Sequence, residues 1–415
     1  MTDSMTLVRP IYFALASAAA AGCTVSPGSA TERVAVTGDV LIEHATPPAA
    51  QTFTALSAPP LSPGVALVLT DGRVITQDVD TNNWWTLTPD HTGSYLNGTW
   101  TQIASGPSGY SPLYFASAVL PDGRLFTAGG EYINGAEAFS SEGAIYDPKA
   151  NTWTPITKPS AFTEIGDAQS IVLADGRFMM ADCCTSQEAV LDPVHLTWTS
   201  IGAGKEDIND EEGWTLLPDG RILTVDANNT AKPMESEIFD PSTGMWTSAG
   251  SVGVQLADIN TTGDSHELGP AVLRPDGTVI AVGAITHNAV FDSATSTWTA
   301  APDFPSGLDT ADGPAALMPN GNVLIATSPG VFQTGAVFFE WNGTQMATVA
   351  APASASGESS FEYNMVTLPT GEILVTSQST DVEIYEPAPA ADTTAIAPVI
   401  TSVPVLETLT GFSDA

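Results

Sequence analysis

Short apolar runs that end in a polar residue followed by glycine recur along the chain. The polar residue stands at Asp71, Asp122, Asp175, Asp219, Asp276, Asn320 and Thr370, at intervals of 51, 53, 44, 57, 44 and 50 residues. A second apolar run follows each pair, and Asp-Gly or Asn-Gly between two such runs is typical of a type I′ hairpin turn. No segment has the period of a long amphipathic helix. The pattern predicts seven consecutive β-hairpins in an all-β protein.

A third and a fourth strand are predicted after each hairpin. The third strand ends in an aromatic or aliphatic residue, and a Trp follows seven residues later, in the pairs Tyr146 and Trp153, Leu191 and Trp198, Phe239 and Trp246, and Phe291 and Trp298. In the sixth repeat this interval joins Phe339 to Met346, which leaves Trp341 outside the predicted core. Repeats of this length with four strands are typical of propeller blades rather than of helical repeats.

These repeats resemble the kelch-repeat family, which includes the galactose oxidase propeller. The resemblance rests on the third-strand aromatic, the fourth-strand Trp and a Gly-Gly pair after the second strand, which is kept here only at Gly129 and Gly130. It covers residues 40–387. The resemblance implies a seven-bladed kelch-type β-propeller, in which each blade has four antiparallel strands and the first strand lines a central channel.

The last repeat lacks a fourth strand, and a segment near the N-terminus can supply it. Its third strand ends at Tyr385, whereas residues 51–56 mimic the fourth strand at residues 151–156. We therefore expect Phe53 to lie on the outer strand of the seventh blade, which closes the propeller and removes an open sheet edge. Residues 388–415 resemble the first strand of the Ig-like domain that follows galactose-oxidase-type propellers. They are interpreted as a truncated domain or a disordered tail.

The N-terminus has the features of an export signal. Arg9 precedes an apolar run that ends at Ala21, Gly22 and Cys23, and this run is too short to span a bilayer. Residues 1–22 resemble a bacterial lipoprotein signal peptide, which implies a lipid on Cys23 and makes residues 23–39 a linker. An ordinary secretory signal is the alternative. Either interpretation predicts an exported protein, anchored at a membrane in the periplasm or on the cell surface, or secreted.

The charge of the chain excludes one class of partner. Its 415 residues include 47 acidic and 11 basic side chains, a net charge of −36. Nucleic-acid binding depends on clustered Lys and Arg, so no nucleic-acid partner is expected. Membrane contact is expected only through the lipid anchor. The composition, with 36 Gly and 31 Pro, suits a loop-rich globular protein, and we expect a monomer.

Carboxylates recur where the first strand of each predicted blade enters the channel. The residues eight positions before the seven turns are Pro63, Tyr114, Asp167, Glu211, Leu268, Asp312 and Glu362, and Glu267 lies beside the fifth. This spacing predicts an acidic collar. Asp167, Glu211, Asp312 and Glu362 are candidate Ca²⁺ ligands, and with Glu267 they are candidate catalytic acids and bases. The alternative is that these carboxylates cap backbone N–H groups or stay solvated.

Loops on the same face of the predicted propeller add candidates for ligand binding. These candidates are Tyr114, Glu131, Tyr132, Asp182, His266 and His287. A His at such a position is more often a hydrogen-bonded structural residue than a ligand. The adjacent Cys183 and Cys184 are two buried thiols, a reactive thiol or a strained vicinal disulfide, because neighbouring Cα atoms lie about 3.8 Å apart, below the usual disulfide range.

The galactose oxidase resemblance implies a copper site, and the sequence departs from it. That site needs a Tyr cross-linked to a Cys, an adjacent Tyr-His pair and a His from a C-terminal domain. The chain offers Tyr132 with Cys183 or Cys184 but has no adjacent Tyr-His pair, so Ca²⁺ is a candidate cofactor and copper is not expected. We expect a binding or scaffold module for a glycan or a surface protein. A polysaccharide-acting hydrolase or lyase is the alternative, a copper oxidase is a lesser one, and enzyme activity stays open.

Overall fold

The protein is described by a computed structural model that covers residues 51–259 and 266–387. In these two ranges the regular structure consists of β-strands and three short 3₁₀ helices, without an α-helix. The predicted all-β class is therefore confirmed. None of the described helices is long and apolar enough to cross a membrane. The predicted signal peptide, Cys23, the linker at residues 23–39 and the tail at residues 388–415 lie outside the described residues.

The described strands form seven four-stranded antiparallel sheets, numbered here along the chain. Sheet 1 contains Pro63–Val68, Val74–Asp78, Trp84–Thr88 and Thr99–Gln102, and sheet 2 contains Ala116–Val119, Leu125–Ala128, Gly143–Asp147 and Thr152–Ile156. Sheet 3 contains Ser170–Val172, Phe178–Ala181, Glu188–Asp192 and Thr197–Ile201, and sheet 4 contains Thr215–Leu216, Ile222–Val225, Ser236–Asp240 and Met245–Ser248. Sheet 5 contains Ala271–Leu273, Thr278–Val282, Asn288–Asp292 and Thr297–Ala301.

The remaining elements complete this series. Sheet 6 contains Ala315–Leu317, Val323–Thr327, Val337–Trp341 and Met346–Thr348, and sheet 7 contains Asn364–Thr367, Ile373–Thr376, Val382–Glu386 and Thr52–Ala55. A small three-stranded sheet contains Pro112–Leu113, Tyr132–Ile133 and Ala136–Glu137. The 3₁₀ helices are Pro305–Gly307, Ala353–Ser356 and Ser360–Glu362.

The hairpins are confirmed, but the predicted turn type is wrong. In sheet 1 the Gly72 N–H donates to the Leu69 carbonyl at 2.9 Å, and the Leu69 N–H donates to the Arg73 carbonyl at 2.8 Å. Gly72 has a φ of +85°, whereas Asp71 is not among the residues with positive φ. A type I′ turn needs positive φ at both central residues, so this hairpin has the three-residue loop that ends in a left-handed glycine. The other six hairpins repeat the glycine hydrogen bond.

The predicted pairs of third-strand and fourth-strand residues are confirmed in sheets 2 to 5. Each Trp lies directly opposite its partner, in the pairs Tyr146 and Trp153, Leu191 and Trp198, Phe239 and Trp246, and Phe291 and Trp298. The prediction for sheet 6 is wrong, because Met346 lies opposite Trp341 rather than Phe339. The turn of sheet 6 has two residues between Asn342 and Gln345, whose backbone groups are hydrogen-bonded at 3.1 Å, whereas four residues separate Asp147 from Thr152 in sheet 2. This shorter turn changes the interval between the paired residues. Trp341 is consequently a core residue, 2% exposed.

The core lies between neighbouring sheets. Phe126 of sheet 2 and Phe178 of sheet 3 have ring centroids 4.2 Å apart with the rings tilted by 38°, and the Trp198 ring contacts Phe126 edge-on at 6.0 Å. Burial of each such side chain is worth about 1.5 to 3 kcal/mol. The first strands of sheets 1 and 2 contact each other, as do those of sheets 1 and 7. The ends of the first strands therefore converge, and this convergence positions the site described below.

The N-terminal strand occupies the predicted place in sheet 7. Thr52–Ala55 pairs antiparallel with Val382–Glu386, and Phe53 lies opposite Tyr385. The Phe53 ring centroid is 4.9 Å from that of Tyr385 and 5.3 Å from that of Phe338 in sheet 6. Pairing through this strand covers the edge that Val382–Glu386 would otherwise expose.

Candidate functional site

A cavity of about 650 Å³ lies where the loops that lead into the first strands converge. Five carboxyl side chains and five aromatic side chains line it together with Leu113. The carboxyl groups belong to Glu131, Asp167, Glu211, Glu267 and Asp312, and the aromatic rings to Tyr114, Phe115, Tyr132, Phe332 and Phe361. No Lys or Arg is among these described lining residues, so the cavity concentrates negative charge beside apolar surface.

Backbone conformation helps to aim three of these side chains into the cavity. Tyr114, Glu211 and Asp312 share the offset of eight residues from their hairpin turns, and all have positive φ, at 50°, 59° and 51°. Residues other than glycine adopt this left-handed conformation at a cost of about 1 to 3 kcal/mol. Such strain is often found at functional sites. Its repetition at equivalent positions in three sheets shows that one local geometry serves all three.

Three carboxyl groups form the closest cluster in the cavity. Glu211, Glu267 and Asp312 each offer an oxygen, and these oxygens lie within 4.8 Å of one another. Glu267 is 3% exposed, and its Oε2 has no hydrogen-bond partner among the described residues. Asp167 Oδ1 in the same cavity has none either. The cavity therefore offers hard oxygen donors, and two of these oxygens have no hydrogen-bond partner among the described residues.

Burial and mutual repulsion raise the pKa values of this cluster. Burial, followed by the charges of Asp312 and Asp167, raises the pKa of Glu211 to about 10. Burial, opposed by a hydrogen bond from Asp312, leaves the pKa of Glu267 at about 7. Asp312 remains accessible to water, but inside a cavity rather than in open solvent, so removal from bulk water and the Glu267 carboxyl raise its pKa well above the usual value.

The small three-stranded sheet contributes Leu113 and Tyr132 to the lining of the cavity. Tyr132 lies opposite Leu113 in that sheet, and its ring centroid is 6.1 Å from that of Tyr114. The Tyr114 hydroxyl accepts a 3.3 Å hydrogen bond from Gln378 Nε2. Burial and the Asp167 charge raise the pKa of Glu131 to about 7. The predicted candidates Tyr114, Glu131 and Tyr132 are thus brought together with Asp167, Glu211, Glu267 and Asp312.

Glu362 is placed differently from the other members of the predicted collar. Its carboxylate accepts a 2.6 Å hydrogen bond from the Ser359 N–H, as part of a capping box on Ser360–Glu362. It lines a smaller neighbouring cavity with Tyr363 and Gln378. The capping role, which the sequence left as the alternative, is the one that the Glu362 carboxylate performs.

Three further candidates do not line the cavity. Asp182 is fully buried, and its Oδ2 accepts a 2.8 Å hydrogen bond from the Thr163 N–H. His287 Nδ1 is 2.9 Å from Asp303 Oδ1 on the surface. His266 precedes Glu267 but is absent from the lining, and its Nδ1 has no partner among the described residues. The contact with Asp303 makes His287 a hydrogen-bonded structural residue, as expected for a His at such a position.

The adjacent cysteines are joined by a vicinal disulfide. Of the three interpretations left open by the sequence, this is the one that the structure contains. Cys183 is buried, and Glu164 is the only carboxyl residue grouped with the two sulfur atoms in the described ranges. None of the three clusters of potential metal ligands in those ranges includes a His. The carboxylate cluster of Glu211, Glu267 and Asp312 suits Ca²⁺ or Mg²⁺.

Several site residues were missed by sequence reasoning. Phe332 and Phe361 line the cavity, and Asp210 adds its charge at the neighbouring position to Glu211. Phe332 follows the second strand of sheet 6, the type of loop from which Glu131 and Tyr132 were selected. Phe361 directly precedes Glu362. Both could have been found by applying the same loop rule to aromatic residues.

The comparisons with known proteins agree with this architecture. No family model matches the chain. One curated relative, the kelch-like protein terF of Aspergillus terreus, is 26% identical over 140 residues, which is 30% of this chain and 26% of that protein. A fungal alcohol oxidase of the AA5 family, solved in complex with copper, superposes with a TM-score of 0.57 over 81% of this chain and 76% of its own, at 14% identity.

The chain resembles kelch-type propellers in sequence and in fold. Virginiamycin B lyase from Staphylococcus aureus superposes with a TM-score of 0.55 over 80% of this chain and 97% of its own, at 10% identity. These superpositions establish the propeller fold. At identities this low they do not indicate an activity, which has to be argued from the site. The matched region spans about a quarter of the curated kelch-like relative.

Proposed function

We propose that this kelch-type propeller is an exported binding module that recognises a glycan in the acidic and aromatic cavity. The seven four-stranded sheets would be the blades of one closed ring. Contacts between the first strands of sheets 1 and 7, and the N-terminal strand in sheet 7, support that closure. The observation that carries the functional proposal is the lining of the cavity, which places five carboxyl groups against five aromatic rings.

This lining matches the two kinds of surface on a sugar ring. The apolar C–H face of a sugar can pack on Tyr132 or Phe332, of which Phe332 is 44% exposed. Sugar hydroxyls can donate hydrogen bonds to the carboxylates, and a protonated carboxyl such as that of Glu211 can donate one in return. The absence of Lys and Arg from the described lining disfavours acidic sugars. We therefore expect a neutral or amino sugar as the ligand.

A glycan array probed with the full chain tests the proposal, with millimolar Ca²⁺ and with chelator in parallel. Neutral or amino glycans should bind, and Tyr132→Ala with Phe332→Ala should weaken binding by about tenfold or more, because stacking rings are lost. The control is Leu196→Ala, an exposed apolar residue in the outer turn of sheet 3, which should bind as the wild type does. Failure to bind any glycan under either condition would overturn the proposal.

A hydrolase or lyase acting on a polysaccharide is the second candidate. It is favoured by carboxyl groups with different pKa values in one cavity, about 10 for Glu211 and about 7 for Glu131. At neutral pH the first would serve as the general acid and the second as the base. Incubation of glycans that bind with the wild type and with Glu211→Gln separates the two functions. Products formed by the wild type alone would establish catalysis.

Export is proposed through a lipid on Cys23, which lies outside the described residues. The proposal is supported by the apolar run that ends at Gly22 and Cys23. Processing should be sensitive to globomycin, the mature protein should partition into detergent, and Cys23→Ser should abolish both. A mature protein that begins downstream of Cys23 would contradict the anchor and leave secretion as the alternative.

A further inference from the structure

We infer that Glu211, Glu267 and Asp312 form a binding site for one Ca²⁺ ion in the cavity. This inference deepens the proposed function and rests on it for the role of the ion, which would present coordination positions to sugar hydroxyls. The three residues come from the loops that lead into sheets 4, 5 and 6, so each is fixed by a different sheet.

The separation of the oxygens fits this ion. Ca²⁺ binds oxygen ligands at about 2.4 Å, so two ligands on opposite sides of one ion lie about 4.8 Å apart. The carboxylate oxygens of Glu211, Glu267 and Asp312 all lie within 4.8 Å of one another. Mg²⁺ is usually bound through one or two carboxylates and keeps several water ligands, so a site with three carboxylates favours Ca²⁺.

Glu267 provides an independent indication of a missing partner. The residue is 3% exposed, it lines the cavity beside Glu211 and Asp312, and no N–H or hydroxyl group of the described residues donates a hydrogen bond to its Oε2. A buried carboxylate oxygen left without a donor costs free energy, which a bound cation would remove. Glu131 and Asp167 add negative charge to the same cavity, and its lining supplies no basic residue to balance them.

The ligand number is also compatible with Ca²⁺. Three carboxylates supply three to six oxygens, according to whether each binds through one or two atoms, whereas Ca²⁺ takes six to eight. Positions left over face the cavity, where water or the hydroxyl groups of a sugar can occupy them. A sugar bound in this way would contact the ion and the aromatic rings at the same time, which explains why the two kinds of side chain share one cavity.

Terbium luminescence in the full chain tests the inference directly. Tb³⁺ replaces Ca²⁺ at oxygen sites and emits when a nearby aromatic ring transfers energy to it, and Tyr114 and Tyr132 line the same cavity. The chelated protein should give Tb³⁺ emission that Ca²⁺ displaces. Glu267→Gln and Asp312→Asn should each lower the affinity by about tenfold or more, since each removes a ligand. Glu372→Gln, an acidic residue at the hairpin turn of sheet 7, is the matched control and should keep it.

Thermal unfolding keeps the test independent of glycan binding. Millimolar Ca²⁺ should raise the Tm of the chelated wild type by mass action, and the Glu267→Gln and Asp312→Asn double variant should not respond. A high Tm of this variant in chelator shows that it has folded. A wild type with neither Tb³⁺ emission nor a Ca²⁺-dependent Tm overturns the inference. So does a response that persists in the double variant but is lost in Asp226→Asn, which tests the separate cluster of Asp207, Glu212 and Asp226.

The metal and glycan experiments can fail separately. Ca²⁺ binding without any glycan binding supports the ion site and contradicts the proposed function. Glycan binding that is identical in Ca²⁺ and in chelator, with no Tb³⁺ emission, supports the proposed function and contradicts the ion site.

Discussion

Glu211 and Glu212 are adjacent in the chain, yet they belong to two carboxyl clusters of opposite character. Glu211 faces the cavity with Glu267 and Asp312, without a basic residue in the described lining. Glu212 faces the opposite way, and its Oε1 accepts a 2.9 Å hydrogen bond from Lys205 Nζ. Lys205 also donates to Asp207 and to Glu237 Oε2, the latter at 2.9 Å, and its side chain has no exposed surface. One cluster thus contains an internal cation, and the described lining of the other does not.

The difference distinguishes a structural cluster from a binding site. The three N–H groups of Lys205 meet three carboxylates, and Glu212 Oε2 accepts a further 2.9 Å hydrogen bond from Thr224 Oγ1. A buried charge network of this kind tolerates little change once it is formed. The cavity cluster also contains three carboxyl groups, and Glu267 Oε2 among them has no hydrogen-bond partner in the described residues. Such a cluster is costly unless a ligand or protons occupy its oxygens.

Loss of the internal cation should have the largest effect on stability. Lys205→Met leaves buried carboxylates uncompensated, which should lower the free energy of unfolding by about 3 to 5 kcal/mol. Lys232→Met is the matched control, because Lys232 pairs with Glu206 on the surface, where both side chains are well exposed. The control should cost far less, because an exposed ion pair contributes little to stability. Urea unfolding of both variants measures the difference, and equal costs would contradict a structural role for the Lys205 cluster.

Stability should also fall as pH rises, because buried carboxyl groups hold protons in the folded state. Burial raises the pKa of Glu188 from 4.5 to about 8, against the indole hydrogen bond from Trp246. Burial raises the pKa of Glu131 from 4.5 to about 7. Between the pKa of the unfolded chain and that of the folded chain, the folded protein binds more protons than the unfolded one. The stabilisation from each group is therefore complete below pH 4.5 and is lost as the pH rises to about 8 for Glu188 and about 7 for Glu131.

Single variants assign this pH dependence to Glu188 and Glu131. Glu188→Gln and Glu131→Gln should each flatten the decrease in Tm between pH 5 and 9. The larger change is expected for Glu188, which is 1% exposed and has the larger shift. A Tm that rises with pH in the wild type would show that the carboxyl groups are ionised and paired in the folded state.

The position of the cavity cluster could be predicted from sequence because the hairpin turn fixes the strand register. Counting eight residues back from each turn placed Tyr114, Asp167, Glu211 and Asp312 at one end of the first strands, and all four line the cavity. The same offset failed for Glu362, whose carboxylate caps Ser360–Glu362. Ser359 followed by Glu three residues later is a capping-box signature that was readable in the sequence.

The Lys205 cluster could not be predicted in this way. Its members come from the loop that contains Lys205, Asp207 and Glu212 and from strand Ser236–Asp240, which carries Glu237. Their association depends on how that loop folds back on sheet 4. The loop residues do not recur at a fixed distance from the hairpin turns, so the repeats do not predict their positions. Trp341 was misplaced for a similar reason, since the length of one turn changed the register of sheet 6.

The smallest effect, and the sharpest contrast, should come from replacing each of the adjacent glutamates, Glu211 and Glu212, by Gln. Glu211→Gln in chelator at pH 8 should raise the free energy of unfolding by about 1 kcal/mol, because a neutral amide neither repels Asp312 nor needs a proton that the unfolded chain lacks. Gln keeps the side-chain length and the left-handed backbone that Glu211 already adopts. Glu212→Gln, the control one residue away, should destabilise by about 1.5 to 3 kcal/mol, because it weakens a charged hydrogen bond to Lys205. Urea unfolding of both variants should therefore give changes of opposite sign. If Glu211→Gln were as destabilising as Glu212→Gln, the Glu211 carboxyl would have a stabilising partner within the protein, and its availability for a ligand would be contradicted.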